Sequence, residues 1–176
     1  MLDGMTLQYT TEGNVATIEL TQEYSTMLMI KELTKVCNHL EDENPCQVVV
    51  LKGSENCFSR GLHFGEFHDK KALDIHGFNK WEKICTRIER LPKVTISILQ
   101  GAVIGGGFQL SLVTDVRIAS PDAYFQLPEL KQGFLPGCRF SDGQIHWFGS
   151  CQETHFTVCS SFSSRGSGFG HSGCRQ

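Results

Sequence analysis

The chain has 176 residues, 40% of them hydrophobic and 20% charged, the balance of a globular domain rather than a disordered one. A formal charge of −3 at pH 7 and a pI near 6.1 exclude a protein built on Lys and Arg contacts to nucleic-acid phosphates. No apolar run approaches the ~20 residues of a membrane-spanning helix. The opening MLDGMTLQYT has neither the basic start nor the apolar centre of a secretory signal, so the cytoplasm is the expected location.

Two short strands are predicted at 6–10 and 14–20, joined by a Glu-Gly-Asn turn. A helix is predicted over 26–41, where Met29, Leu33, Val36, Cys37 and Leu40 recur at steps of three and four; Ser25 or Thr26 is placed to cap it. The run QVVVLKG, 47–53, reads as a strand buried on both faces. A glycine-bearing loop, SENCFSRGLHFGEF, follows. A long second helix is predicted over 69–90, with Leu73, Ile75, Phe78, Trp81, Ile84, Ile88 and Leu91 on one face and Pro92 as its stop. VTISIL, 94–99, is the next buried strand; GAVIGGG reads as a glycine loop, FQLSLV as a helix start, VRIAS as a strand and 124–126 as a short extended piece. Strands alternating with helices argue an α/β architecture with parallel strands.

Past Gly137 the composition changes. Residues 138–176 hold eight Ser and six Gly but no Leu, Ala, Lys or Met, whereas 1–137 hold sixteen Leu. The chain therefore divides into an organised unit, 1–137, and a low-complexity tail, 138–176, expected to be disordered. Eight cysteines stand at 37, 46, 57, 85, 138, 151, 159 and 174, with no CxxC pair. Free thiols are expected rather than a metal site or a disulfide framework.

The two glycine loops are the places to look for chemistry, because open α/β sheets gather ligands beyond the carboxyl ends of their strands. A Gly105-Gly106-Gly107 turn opening a helix leaves backbone N–H groups unpaired and lets a ligand come close. One N–H from each loop would make an oxyanion hole; the plainer alternative is a tight turn. Neither a Gly-Lys-Ser/Thr phosphate loop nor a dinucleotide G-x-G-x-x-G is present.

The segment IERLPKVTISILQGAVIGGGFQLSLVTDVRIASPDAYFQLPELKQGFLPG, with FSRGLHFGEF upstream, resembles the signature of the enoyl-CoA hydratase/isomerase family, the crotonases. The likeness covers essentially 1–137. It implies a spiral of β-β-α repeats, cut short here, and an acyl-CoA or acyl-carrier thioester substrate. Coenzyme A would be part of that substrate, with no separate cofactor. Carried over by position, the oxyanion donors are the amides of Leu62 and Gly106. Family hydratases use two glutamates, at the positions of Gln109 and Glu129 here. Glutamine orients water but cannot take its proton at neutral pH. Shifting a double bond from β,γ to α,β needs only one base, so the pattern favours isomerisation, with Glu129 as proton shuttle and Gln109 positioning substrate or water. A helix-surface amide is the bland alternative for Gln109, and a loop carboxylate for Glu129.

His63 either meets substrate or faces solvent, and Glu66 is similarly placed; Lys70 and Lys71 read as a solvated helix start, and the face around Trp81 and Ile84 as core. The family continues with helices that cover the acyl site and build a homotrimer, expected only of an intact chain. Codon choices read one base later give family-like segments over 140–155 and 164–172, so a shift of reading frame would account for the tail. A non-catalytic crotonase-like chain, binding only a ligand or partner, stays open as the alternative.

Overall fold

A computed structural model describes residues 4–42, 45–63, 65, 68–69, 72–73, 75–128 and 157–160. Leu7–Glu12 (β1) and Val15–Leu20 (β2) form an antiparallel hairpin. Along β2 the alternation sends Ala16, Ile18 and Leu20 into the core, as period-two patterning requires.

Helix α1, Met27–Asp42, begins at Thr26 rather than Ser25: the Thr26 hydroxyl accepts the Met29 N–H at 3.2 Å. Its buried stripe runs Met29, Ile30, Leu33, Val36, Cys37 and Leu40. Glu32 shares that stripe. Its carboxylate is tolerated there because it accepts the N–H groups of Met5 at 2.9 Å and Thr6 at 3.0 Å, together with the Thr6 hydroxyl.

Val48–Lys52 (β3), Val94–Leu99 (β6) and Val116–Ala119 (β8) extend the sheet in parallel from β2. The expectation that β3 is buried on both faces is corrected. Val49 and Leu51 of β3 are fully buried, but Val48, Val50 and Lys52 are half-covered, and Lys52 pairs with Glu19 at 2.8 Å. In β6 the buried face carries Thr95, Ser97 and Leu99, while Val94 is exposed. The two hydroxyls are satisfied across the fold: Thr95 bonds the Asp115 carboxylate at 2.8 Å and Ser97 pairs with Thr114 at 3.0 Å.

The second helix starts later than its periodicity predicted. His68–Asp69 (β4) and Ala72–Leu73 (β5) pair as a small antiparallel hairpin, and α2 runs Ile75–Glu89. Leu73 belongs to β5 and the helix opens at Ile75, so the helical period holds from Ile75 onward and Leu73 falls outside it. Trp81, Ile84, Cys85 and Ile88 of α2 are buried. Arg87 ties α2 to α1, its guanidinium meeting Glu41 at 2.9 and 2.7 Å and Asn38 at 2.7 Å.

The segment read as a pure glycine loop contains a strand, Ala102–Ile104 (β7), paired in parallel with Tyr124–Gln126 (β9) as a separate two-stranded sheet. Gly106–Leu112 (α3) follows directly. Arg117 returns to the end of α3 and donates to the carbonyls of Ser111 at 3.2 Å, Leu112 at 3.3 Å and Thr114 at 2.6 Å, a favourable cation at a helix C-terminus. Thr157–Ser160 (β10) lies antiparallel to β8, giving the main sheet the order β1-β2-β3-β6-β8-β10. The rest of the tail lies outside the described residues. The architecture is an α/β fold of successive β-β-α units, and no helix among the described residues is long and apolar enough to cross a membrane.

Candidate active site

The loop after β3 is stitched on two sides. Toward β7, Ser59 N–H donates to Ala102 at 3.0 Å and Ile104 N–H donates to Ser59 at 2.9 Å. Toward the start of α1, Arg60 N–H donates to Glu23 at 2.7 Å, Ser25 N–H to Gly61 at 2.8 Å and His63 N–H to Ser25 at 3.0 Å. The last two bonds form a parallel bridge between Ser25 and Leu62. A parallel bridge engages the residues flanking Leu62, so the N–H of Leu62 itself turns the other way.

The N-terminus of α3 lies beside Leu62. A β-carbon on Gly106 would sit 3.0 Å from Leu62 Cγ and 3.2 Å from Trp81 Nε1. Two glycines make the approach feasible. Gly61 has φ 91° and Gly105, which precedes α3, has φ 52°, values that L side chains rarely adopt. Gly107 packs on Ser59, whose Cβ lies 2.5 Å from where a glycine side chain would begin. Among the described residues, neither the Leu62 N–H nor the Gly106 N–H has a hydrogen-bond acceptor, although Leu62 is only 6% exposed. Buried backbone donors are almost always paired. Two adjacent exceptions at a helix N-terminus are suited to an anionic oxygen.

Gln109, one turn into α3, is not on the helix surface; it is 4% exposed. Its Oε1 accepts the Trp81 indole N–H at 3.2 Å and its Nε2 donates to Glu82 Oε1 at 2.5 Å. These partners fix the amide orientation, since a flipped amide would oppose two donors at the indole and two acceptors at the carboxylate. Glu82 had no signal in the sequence. It lies 27 residues from Gln109, and only the packing of α2 against α3 joins them. It is half-buried and also lines an open groove of about 480 Å³ with Asn79, Lys83, Thr86 and Arg87.

The remaining candidates divide cleanly. His63 is exposed and packs edge-on against Tyr24, with ring centroids 5.7 Å apart. Trp81 and Ile84 are core, as read from their spacing. Glu129, Glu66, Lys70 and Lys71 lie outside the described residues. Cys37, Cys46, Cys57 and Cys85 are buried free thiols. Burial pushes the Cys57 thiol up and the Cys37 thiol up to about 11, which keeps both protonated near neutral pH.

A family model described as enoyl-CoA hydratase/isomerase matches residues 10–152, which carries the match past Gly137. Among curated proteins the chain is similar to the probable enoyl-CoA hydratase of Bacillus subtilis (strain 168), 31% identical over 111 residues, covering 62% of this chain and 43% of that protein. It is also similar to the short-chain-enoyl-CoA hydratase of Clostridium acetobutylicum, 29% identical over 132 residues, covering 72% of this chain and 51% of that one. Among solved structures, an enoyl-CoA hydratase from Shewanella pealeana superposes with a TM-score of 0.68 at 28% identity, covering 76% of this chain and 53% of that one. The chain spans about half the length of the curated relatives it matches.

Proposed function

For a chain that belongs to the enoyl-CoA hydratase/isomerase family, we propose a reaction on an acyl-CoA or acyl-carrier thioester that passes through a thioester enolate, with isomerisation of the double bond ahead of hydration. Removing a proton from C2 of a 3-enoyl thioester builds negative charge on the carbonyl oxygen. The Leu62 and Gly106 N–H groups receive that oxygen; losing one such donor typically costs ~2.7–4 kcal/mol of transition-state stabilisation. Glu129 takes the C2 proton, the double bond moves from C3=C4 to C2=C3 as the enolate collapses, and the same carboxyl returns the proton to C4. Gln109, a neutral amide, holds position and exchanges no proton.

The observation that carries this reading is the pair of unpartnered N–H groups at Leu62 and Gly106, brought together by two glycine turns. The test is turnover of a 3-enoyl-CoA by the full chain, followed as formation of the conjugated 2-enoyl thioester. Activity in the wild type with loss of about 100-fold or more in Glu129→Gln supports it. A wild-type chain that leaves the thioester unchanged, or a Glu129→Gln variant as fast as wild type, removes it.

A further inference from the structure

Trp81, Gln109 and Glu82 form one chain of hydrogen bonds. The Trp81 indole N–H donates to Gln109 Oε1 at 3.2 Å, and Gln109 Nε2 donates to Glu82 Oε1 at 2.5 Å. The outer two are one-way groups: an indole N–H only donates and a carboxylate only accepts. The amide between them has two ends of nearly equal size, so packing alone does not select which end faces the indole. Glu82 selects it by taking the NH2 end, which leaves the carbonyl for Trp81. Trp81 is 1% exposed and Gln109 4%, and an unpaired donor at that depth is costly. The indole also has a fixed seat. Its Nε1 stands 3.2 Å from the place a β-carbon on Gly106 would take, so the ring edge rests against the backbone that carries the Gly106 N–H. Glu82 is half-buried and lines the open groove, which leaves its outer side to solvent.

We propose that Glu82 is a positioning residue for the Gly106 N–H, acting through the Gln109 amide and the Trp81 indole. It accepts a hydrogen bond and exchanges no proton. Both ends of the Gln109 amide are then committed to the contact between α2 and α3. An amide at 82 serves as well as a carboxylate, because it can turn its carbonyl to Gln109 and its NH2 to the groove. An apolar side chain at 82 leaves the Gln109 amide free to flip and to set its NH2 against the indole N–H. The two residues are also interchangeable as a pair. A carboxylate at 109 accepts from Trp81 with one oxygen and from an amide at 82 with the other, so every bond is kept. The effect on turnover rests on the Leu62 and Gly106 N–H groups acting as proposed above; the hold on the indole does not.

The test compares the full chain as wild type, Glu82→Gln, Glu82→Leu, Gln109→Glu and the double variant Glu82→Gln with Gln109→Glu. Each is read by the NMR resonance and hydrogen exchange of the Trp81 indole N–H, and by kcat and KM for isomerisation of a 3-enoyl-CoA. The chain has two tryptophans, and Trp81→Phe identifies the resonance. Glu82→Gln is expected to keep the wild-type resonance and a kcat within about threefold. Glu82→Leu should move the resonance toward that of a free indole, speed its exchange by about tenfold and lower kcat by about tenfold, with KM changed less. Gln109→Glu should disturb the resonance and the double variant restore it. A Glu82→Gln variant that loses as much as Glu82→Leu overturns the proposal, since the charge and not the hydrogen bond would then be acting. An unmoved resonance in Glu82→Leu overturns it, and so does a moved resonance with kcat unchanged. If Glu82→Leu does not fold, the double variant decides: a wild-type resonance supports the proposal, and one as disturbed as in Gln109→Glu overturns it. A wild type inert to the thioester removes the proposed function, and the hold of Glu82 on the indole then stands or falls on the resonance alone.

Discussion

A β-carbon on Gly61 would lie 2.8 Å from the carbonyl oxygen of Ile104. That carbonyl belongs to the last residue of β7, two positions before the first N–H of α3, so the contact fixes the spacing between the two loops. Gly61→Ala meets both this carbonyl and an unfavourable φ. A loss of about 2–4 kcal/mol is expected, read by urea unfolding. Thioester turnover should fall further than the stability loss explains, because the Leu62 amide moves with its neighbour.

Gln109→Glu sets a second carboxylate against Glu82. Two carboxyls in hydrogen-bond contact cannot both ionise easily, so the pair is expected to hold a proton to higher pH in the folded state than in the unfolded chain. A raised folded-state pKa contributes stability below the unfolded value that is lost as pH rises through the folded one. The variant should therefore approach wild-type stability near pH 4 and fall below it by pH 8. Parallel melts at several pH values check this, and a constant difference across the range would argue against it.

Glu32 acts in the opposite direction. Burial would push its carboxyl up, but the Thr6 hydroxyl, the Met5 and Thr6 N–H groups and Lys35 together hold it below the ordinary value. A depressed folded-state pKa gives stability that is present above the unfolded value, ~4.3, and lost as pH falls through the folded one. Glu32→Gln is expected to cost about 1–3 kcal/mol at pH 7 and to soften the acid limb of a stability-against-pH curve. Denaturant titrations at pH 7 and pH 3.5 measure the difference.

Cys37, Cys46, Cys57 and Cys85 are buried free thiols, and burial raises the Cys37 thiol to about 11. Alkylation by iodoacetamide at pH 7.5 should leave Cys37, Cys46, Cys57 and Cys85 unmodified in the folded chain and label them after denaturation. Peptide mass spectrometry locates the label. Rapid native labelling of Cys57, which sits at the start of the first loop, would show that the loop opens.

Repeating apolar spacing made most of the fold legible. The α1 stripe and the β2 alternation come from local patterns, and positive-φ glycines stand at 61 and 105 in the two loops the sequence singled out. What escaped was non-local. Leu73 looked helical because the apolar face of α2 extends through it, yet pairing between β4 and β5 claims the backbone up to Leu73. The polar character of the buried face of β6 was equally non-local: Thr95 and Ser97 are bonded by Asp115 and Thr114, which stand just before β8. Glu82 was invisible for the same cause, being an ordinary polar residue of α2 until Gln109 is packed beside it.

Thr157–Ser160 lies along Val116–Ala119 in four matched rungs. A bare outer strand presents unmet donors and acceptors and can recruit a strand from a neighbouring molecule. On the β8 side that invitation has already been answered from within the chain. At the opposite margin, β1 exposes Gln8, Thr10, Thr11 and Glu12, polar side chains ending in a charge, which discourage a foreign strand from docking. Removing residues 157–160 should therefore make β8 the outer strand in place of β10, opening its own donors and acceptors to edge-to-edge pairing with another chain.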